Sequence, residues 1–285
     1  MSRIGLLAFA AAVLGLLAGL WAGLLRLGLT LPAILPTGAA QHGPLMVSGF
    51  LGTLVALERA VALGALSSLR WPYAAPVLSG IGALVVVLGV SPEIGRGLLL
   101  LAALTLTAVC VRMARLQPEL HTQLLAVAAA AWAVGNLVWL LGGSIHAAST
   151  WWIGFLVLTV AAERLELGRV LRHTASVKRL FIAAVIIFGL GTLLTLIWLE
   201  GGVRLAGLGL ALIGAWLLRY DLARHTIKGR ALTRYVAAPL VALGTALVGL
   251  GVHHESVGGS VAGMRLGDPP CLLGHVGEPG DHATC

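Results

Sequence analysis

The residues able to do chemistry in this chain are few, and the most unusual are charges set inside apolar runs. Of eleven acidic residues only Glu58, Glu163 and Glu166 fall within such runs, and Arg59 and Arg164 stand beside them. Charge at membrane depth is costly and needs a partner. Neighbours in sequence on a helix point about 100° apart, so Glu58 is expected to turn away from Arg59. The expected pairing is reciprocal: Glu58 with Arg164, and Glu163 with Arg59. Such a group is either structural or part of a proton or substrate path. A third arrangement has both motifs near helix ends, with the side chains reaching out to headgroups.

Histidine is the second source of chemistry. His42, Met46, Gly49 and Thr53 follow one another at spacings of 4, 7 and 11, which puts them on one helix face. Neutral imidazole is the commonest side-chain ligand of transition metals. His42 and Met46 are therefore candidate cofactor-binding residues, with Gly49 beneath them giving room for a haem. His42 and His146, on the same side of the membrane, are candidate metal ligands. The alternative for His42 is a headgroup-level histidine above an ordinary packing face. Cys271, His275, His282 and Cys285 read as C-x3-H-x6-H-x2-C, a zinc pattern or, through the two cysteines, a disulfide. Cys110, inside an apolar run, reads as a packing residue. Asn136 with Trp132 and Trp139 makes a polar-aromatic face that either lines a site or holds helices together. Ser48 and Ser79 lie beside glycine, with no histidine placed to activate them.

The elements that position these residues follow from composition. The chain has 285 residues, 59% hydrophobic and 11% charged, with a mean hydropathy of +0.98. A soluble domain carries about 25% charged residues, so a soluble globule is excluded. The fold expected is an all-α integral membrane protein with nine transmembrane helices, near 4–25, 44–65, 72–91, 97–116, 121–142, 150–170, 180–199, 203–220 and 234–252. The first run is too long for a signal peptide core. Fourteen Lys and Arg fall on the side of the N-terminus and four on the other, which puts the N-terminus in the cytoplasm and the C-terminus outside the inner (plasma) membrane. The net charge of +8 is thus an orientation signal, and no basic domain stands ready for nucleic acid.

Residues 49–64 (GFLGTLVALERAVALG) and 154–169 (GFLVLTVAAERLELGR) agree at seven of sixteen positions, 105 residues apart. The organisation expected is two tandem four-helix units, 1–120 and 121–230, then a ninth helix at 231–252. The stretch 253–285, rich in Gly, Pro, His and Cys, reads as a disordered or out-of-frame tail.

His42-Gly43-Pro44-Leu45-Met46 followed by Gly49-Phe50 resembles the HG..M..GF stretch in the second helix of haem–copper oxidase subunit I. It is also similar to the HEM..GF stretch of NnrS-type nitric-oxide-response membrane proteins. The resemblance implies haem, with His42 as ligand, and copper as a further cofactor. It implies a respiratory or nitric-oxide-linked role without catalysis assignable to this chain, since the oxidases need further histidines on later helices. His253-His254, which resembles their copper pair, sits at a helix end with no following span. Two other functions stay open. One is a transporter of small molecules or ions, which tandem repeats and intramembrane charges also suit. The other is a non-catalytic subunit of a larger complex. The partners expected are the bilayer and other membrane subunits or further copies of the chain.

Overall fold

The computed structural model describes residues 3–30, 32, 38–67, 69–167 and 174–220. Among them every regular element is helical, and eight helices are long and apolar enough to cross a membrane. They are α1 (Arg3–Arg26), α2 (His42–Ser67), α3 (Trp71–Leu88), α4 (Pro92–Leu116), α5 (Leu120–Leu140), α6 (Ile145–Leu167), α7 (Ala175–Leu194) and α8 (Leu199–Tyr220). At about 1.5 Å rise per residue each reaches the thickness of a hydrocarbon core. The expected ninth helix, His253-His254 and the Cys271–Cys285 pattern lie outside the described residues.

Several helices begin about five residues before the apolar run suggests, at 92 rather than 97 and at 145 rather than 150. The reason is local. Pro92 suits a first helical position, and the Ser91 hydroxyl accepts from the Ile94 N–H at 3.5 Å, so a polar turn precedes the apolar one. Exits are equally local: Gly89 after α3 and Gly142 after α5 both take positive φ, at 65° and 85°.

The first helix buries its small residues and exposes its large ones. The buried face of α1 is Gly5, Ala8, Ala12, Gly15, Gly19 and Ala22, while Leu7 is 70% exposed. Small residues inside let backbones approach, and the leucines outside suit lipid. Successive helices pack as neighbours, with α1 also against α3, and the α7–α8 hairpin joins the rest through α6.

Candidate functional site

Helix α2 carries the polar groups of the bundle at three levels: His42 at its start, Ser48 and Thr53 in its middle, and Glu58-Arg59 near its end. The helix is not uniform. From Leu45 to Gly52 it winds as a π-helix, with α-helix on both sides. Such segments widen the turn, misalign carbonyls from their usual partners, and cluster at functional sites.

At the first level, α1 fits against α2 through three glycines one turn apart. A Cβ on Gly23 would lie 2.8 Å from His42 Nδ1, and one on Gly19 would lie 2.9 Å from Met46 Sδ. A Cβ on Gly15 would lie 3.0 Å from the Gly49 carbonyl. The room expected for a macrocycle beneath His42 is therefore taken by α1, and a haem does not fit on the Met46–Gly49 face. His42 itself is half-buried, with Nδ1 2.8 Å from the Gly19 carbonyl oxygen. That contact has Nδ1 donating to the carbonyl, so in the neutral imidazole the lone pair is on Nε2. His146 is exposed in the first turn of α6. Among the described residues no group of three or more His, Cys, Asp or Glu is placed to hold a metal ion.

The middle level is a buried network that ties four helices together. Trp132 Nε1 donates to Ser48 Oγ at 2.9 Å, Ser48 Oγ donates to Asn136 Oδ1 at 3.1 Å, and Asn136 Nδ2 donates to the Leu99 carbonyl at 3.4 Å. Ser79 Oγ lies 2.9 Å from the Ser48 carbonyl, and Thr53 Oγ1 lies 2.8 Å from both Ser79 Oγ and the Gly49 carbonyl. Ser48, Thr53, Ser79, Trp132 and Asn136 are all at 0% exposure, so each polar atom depends on these partners. Asn136 thus acts as interhelical glue at the centre of the network. Bonds of this kind in membranes are worth about 0.6 kcal/mol on average and at most about 1.7. Asn136→Ala, which removes two of them, should cost about 1–2 kcal/mol, read as a lowered unfolding temperature in detergent.

At the third level Arg59 is buried, with its side chain 7% exposed. Its Nη2 lies 2.7 Å from Glu58 Oε1 and 3.2 Å from Glu163 Oε1 on α6. One nitrogen therefore serves carboxylates from two helices. The expected opposition of Glu58 and Arg59 is corrected here. Both side chains are long, and Glu58, 57% exposed, curls back along the surface to reach its neighbour. The expected Glu58–Arg164 pair does not form, because Glu58 is already held by Arg59. Arg164 Nε and Arg59 Nε are buried without hydrogen-bond partners. Glu163 sits within the fields of Glu58, Arg59, Arg164 and Glu166, so five charges share this end of the bundle.

Two further groups carry signals that sequence reasoning passed over. His121 is 6% exposed at the start of α5. Arg96 lies 4.8 Å over the Trp139 ring and reaches the Trp139 carbonyl at 3.5 Å. Cys110 packs in the apolar core as expected.

No curated protein and no solved structure matches the chain. Residues 3–252 match the model of a family described as a domain of unknown function, DUF8744. That stretch takes in every helix described above, and the chain belongs to this family.

Proposed function

We propose that this chain is a multi-pass protein of the inner (plasma) membrane, N-terminus in the cytoplasm, that carries protons or a proton-coupled solute. The observation that carries the reading is Arg59, a buried guanidinium holding Glu58 and Glu163 through one nitrogen. Among the described residues Glu163 lies in the field of Glu58, Glu166, Arg59 and Arg164, three carboxylates to two guanidiniums, so this group is one negative charge in excess. Glu163 is the least exposed of the three carboxylates, so an uncompensated charge costs most there, and a bound proton removes it. Loss of that proton to one side and its return from the other is the elementary step of a proton carrier.

The architecture agrees with this. Arg59 and Glu163 are joined although 104 residues separate them, a contact compatible with two tandem four-helix units whose second and sixth helices run parallel. Tandem repeats meeting at a polar site within the membrane are the common plan of secondary transporters. The test is purified protein in vesicles that enclose a pH dye, with a potassium diffusion potential imposed. Proton entry above that of protein-free vesicles supports the reading, and equal rates overturn it.

A second reading has one observation in its favour. His42 presents Nε2 while Nδ1 is tied to a backbone carbonyl, the arrangement that orients ligating histidines. Copper, or a haem seated outside the seam between α1 and α2, would be held by Nε2 and would supply redox chemistry. Purified protein would then show a Soret band that His42→Ala removes. A colourless, copper-free preparation contradicts this reading and leaves the carrier reading untouched. A subunit role would appear instead as partners that co-purify in fixed proportion.

A further inference from the structure

His121 is a buried imidazole in the first turn of α5, 6% exposed. It shares one helix face with Leu125, Ala128, Trp132 and Asn136, at steps of 4, 3, 4 and 4, and all five are buried. That face points between α2 and α6. Trp132 and Asn136 both bond to Ser48 of α2, and Trp132 stacks on Phe155 of α6 with ring centres 5.1 Å apart. The same contacts set the depth of His121. Along α6, Trp132 lies beside Phe155 and Gly135 beside Trp152, an antiparallel register that carries His121 to the level of Glu166. Along α2, Asn136 lies beside Ser48 and Trp132 beside Gly52, which carries His121 to the level of Leu63. Glu166 is three residues past Glu163 and Leu63 is four past Arg59. Two separate registers thus place His121 about one helical turn to the cytoplasmic side of the Arg59–Glu163 pair.

The charged groups at this end of the surrounding helices are Glu58 and Arg59 on α2, Arg112 and Arg115 on α4, and Glu163, Arg164 and Glu166 on α6. Glu119 stands just ahead of α5. Arg112, Arg115 and Glu119 are exposed, so the buried imidazole has the group around Arg59 as its charged surroundings within the bundle. There three carboxylates meet two guanidiniums. A proton on His121 supplies the third positive charge, just as a proton on Glu163 removes the third negative one. One proton therefore balances the group from either of two seats, and the seats lie at different depths. Imidazole is the side chain whose charge changes most readily near neutral pH. Transfer from His121 to Glu163 breaks an N–H bond of the imidazolium, leaves its electron pair on nitrogen, and forms an O–H bond on the carboxylate. A water between the two takes up one proton and gives up another.

We propose that His121 is the proton relay between Glu163 and the cytoplasm, a role that rests on the carrier reading. Two measurements on the full-length protein test it. Infrared difference spectra in detergent follow the C=O stretch of Glu163 as it gains a proton on acidification, the band being identified by its loss in Glu163→Gln. In His121→Gln the competing seat is gone, so the band should appear at higher pH than in the wild type. In His121→Arg a permanent positive charge holds the carboxylate ionised, so the band should appear at lower pH. In dye-loaded vesicles His121→Gln should slow proton entry by about a hundredfold, the lower end of what a positioned acid–base group supplies. A histidine that only packs would leave the band where it is. Wild-type entry together with an unshifted band in both variants overturns the relay alone, as does entry at the wild-type rate in His121→Gln. A shifted band with no wild-type entry overturns the carrier reading, and the relay with it.

Discussion

Arg59→Leu is expected to lower stability by about 2–3 kcal/mol, the largest loss from any single charge in the bundle. Removing one partner of a fully buried ion pair costs about 3–5 kcal/mol, because the other charge is left uncompensated. The lower figure applies here because the carboxylates are not fully buried, with side-chain exposures of 57% for Glu58 and 33% for Glu163. The loss should be read as a reduced unfolding temperature in detergent. Glu163→Gln in the Arg59→Leu background should recover part of it, since the amide needs no counter-charge. Glu58→Gln should recover less, as the more exposed Glu58 carboxylate already meets water or headgroups. If Arg59→Leu unfolds like the wild type, the guanidinium is not what holds these carboxylates at depth.

The second large effect is a single methyl group. A Cβ on Gly191 in α7 would run into the Ala206 nitrogen and lie 2.7 Å from Ala206 Cα, both backbone atoms of α8. From the other side, a Cβ on Gly209 would meet the backbone of Phe188. Flexible side chains can move aside, but two backbones cannot, so the helices themselves must part. Gly191→Ala should therefore cost about 2–3 kcal/mol, at the upper end of ordinary overpacking. Gly189→Ala is the matched comparison, two residues away on the same helix with nothing within 4 Å of its added carbon. That change should be neutral or stabilise by up to about 1 kcal/mol through helix propensity. Equal unfolding temperatures for Gly189→Ala and Gly191→Ala would contradict the seam.

These two predictions differ in how far the sequence foretells them. The charges were legible, because Glu58, Arg59, Glu163 and Arg164 interrupt apolar runs at a fixed spacing of 105. Their connection was only half legible. Relative depth follows from the parallel direction of α2 and α6, but the local Glu58–Arg59 contact depends on how side chains curl, which angular spacing does not describe. The glycine seams were legible as composition and not as places. Thirty-eight glycines announce close packing, yet nothing in the sequence separates Gly191 from Gly189. The π-helix in α2 left no periodic trace, because Ser48 alone breaks the apolar run Leu45–Gly52 and one polar residue defines no period. Ser48 and Asn136 stood out as polar residues in apolar runs, but a contact across 88 residues needs the packed fold to appear. His42 illustrates the reverse case. Its spacing with Met46 and Gly49 is real, and the face it defines is occupied by the glycines of α1 rather than open to a macrocycle.

The central claim is that the carboxylate in excess around Arg59 takes up and releases the proton that crosses the membrane. Proton entry into dye-loaded vesicles, compared between wild-type and Glu163→Gln protein, tests it most directly. The variant keeps the shape of the side chain and one hydrogen-bond acceptor for Arg59 while removing the titrating group. The account predicts measurable entry with the wild type and entry at the protein-free level with Glu163→Gln, both proteins being folded and equally incorporated. Entry that continues undiminished in Glu163→Gln would contradict it.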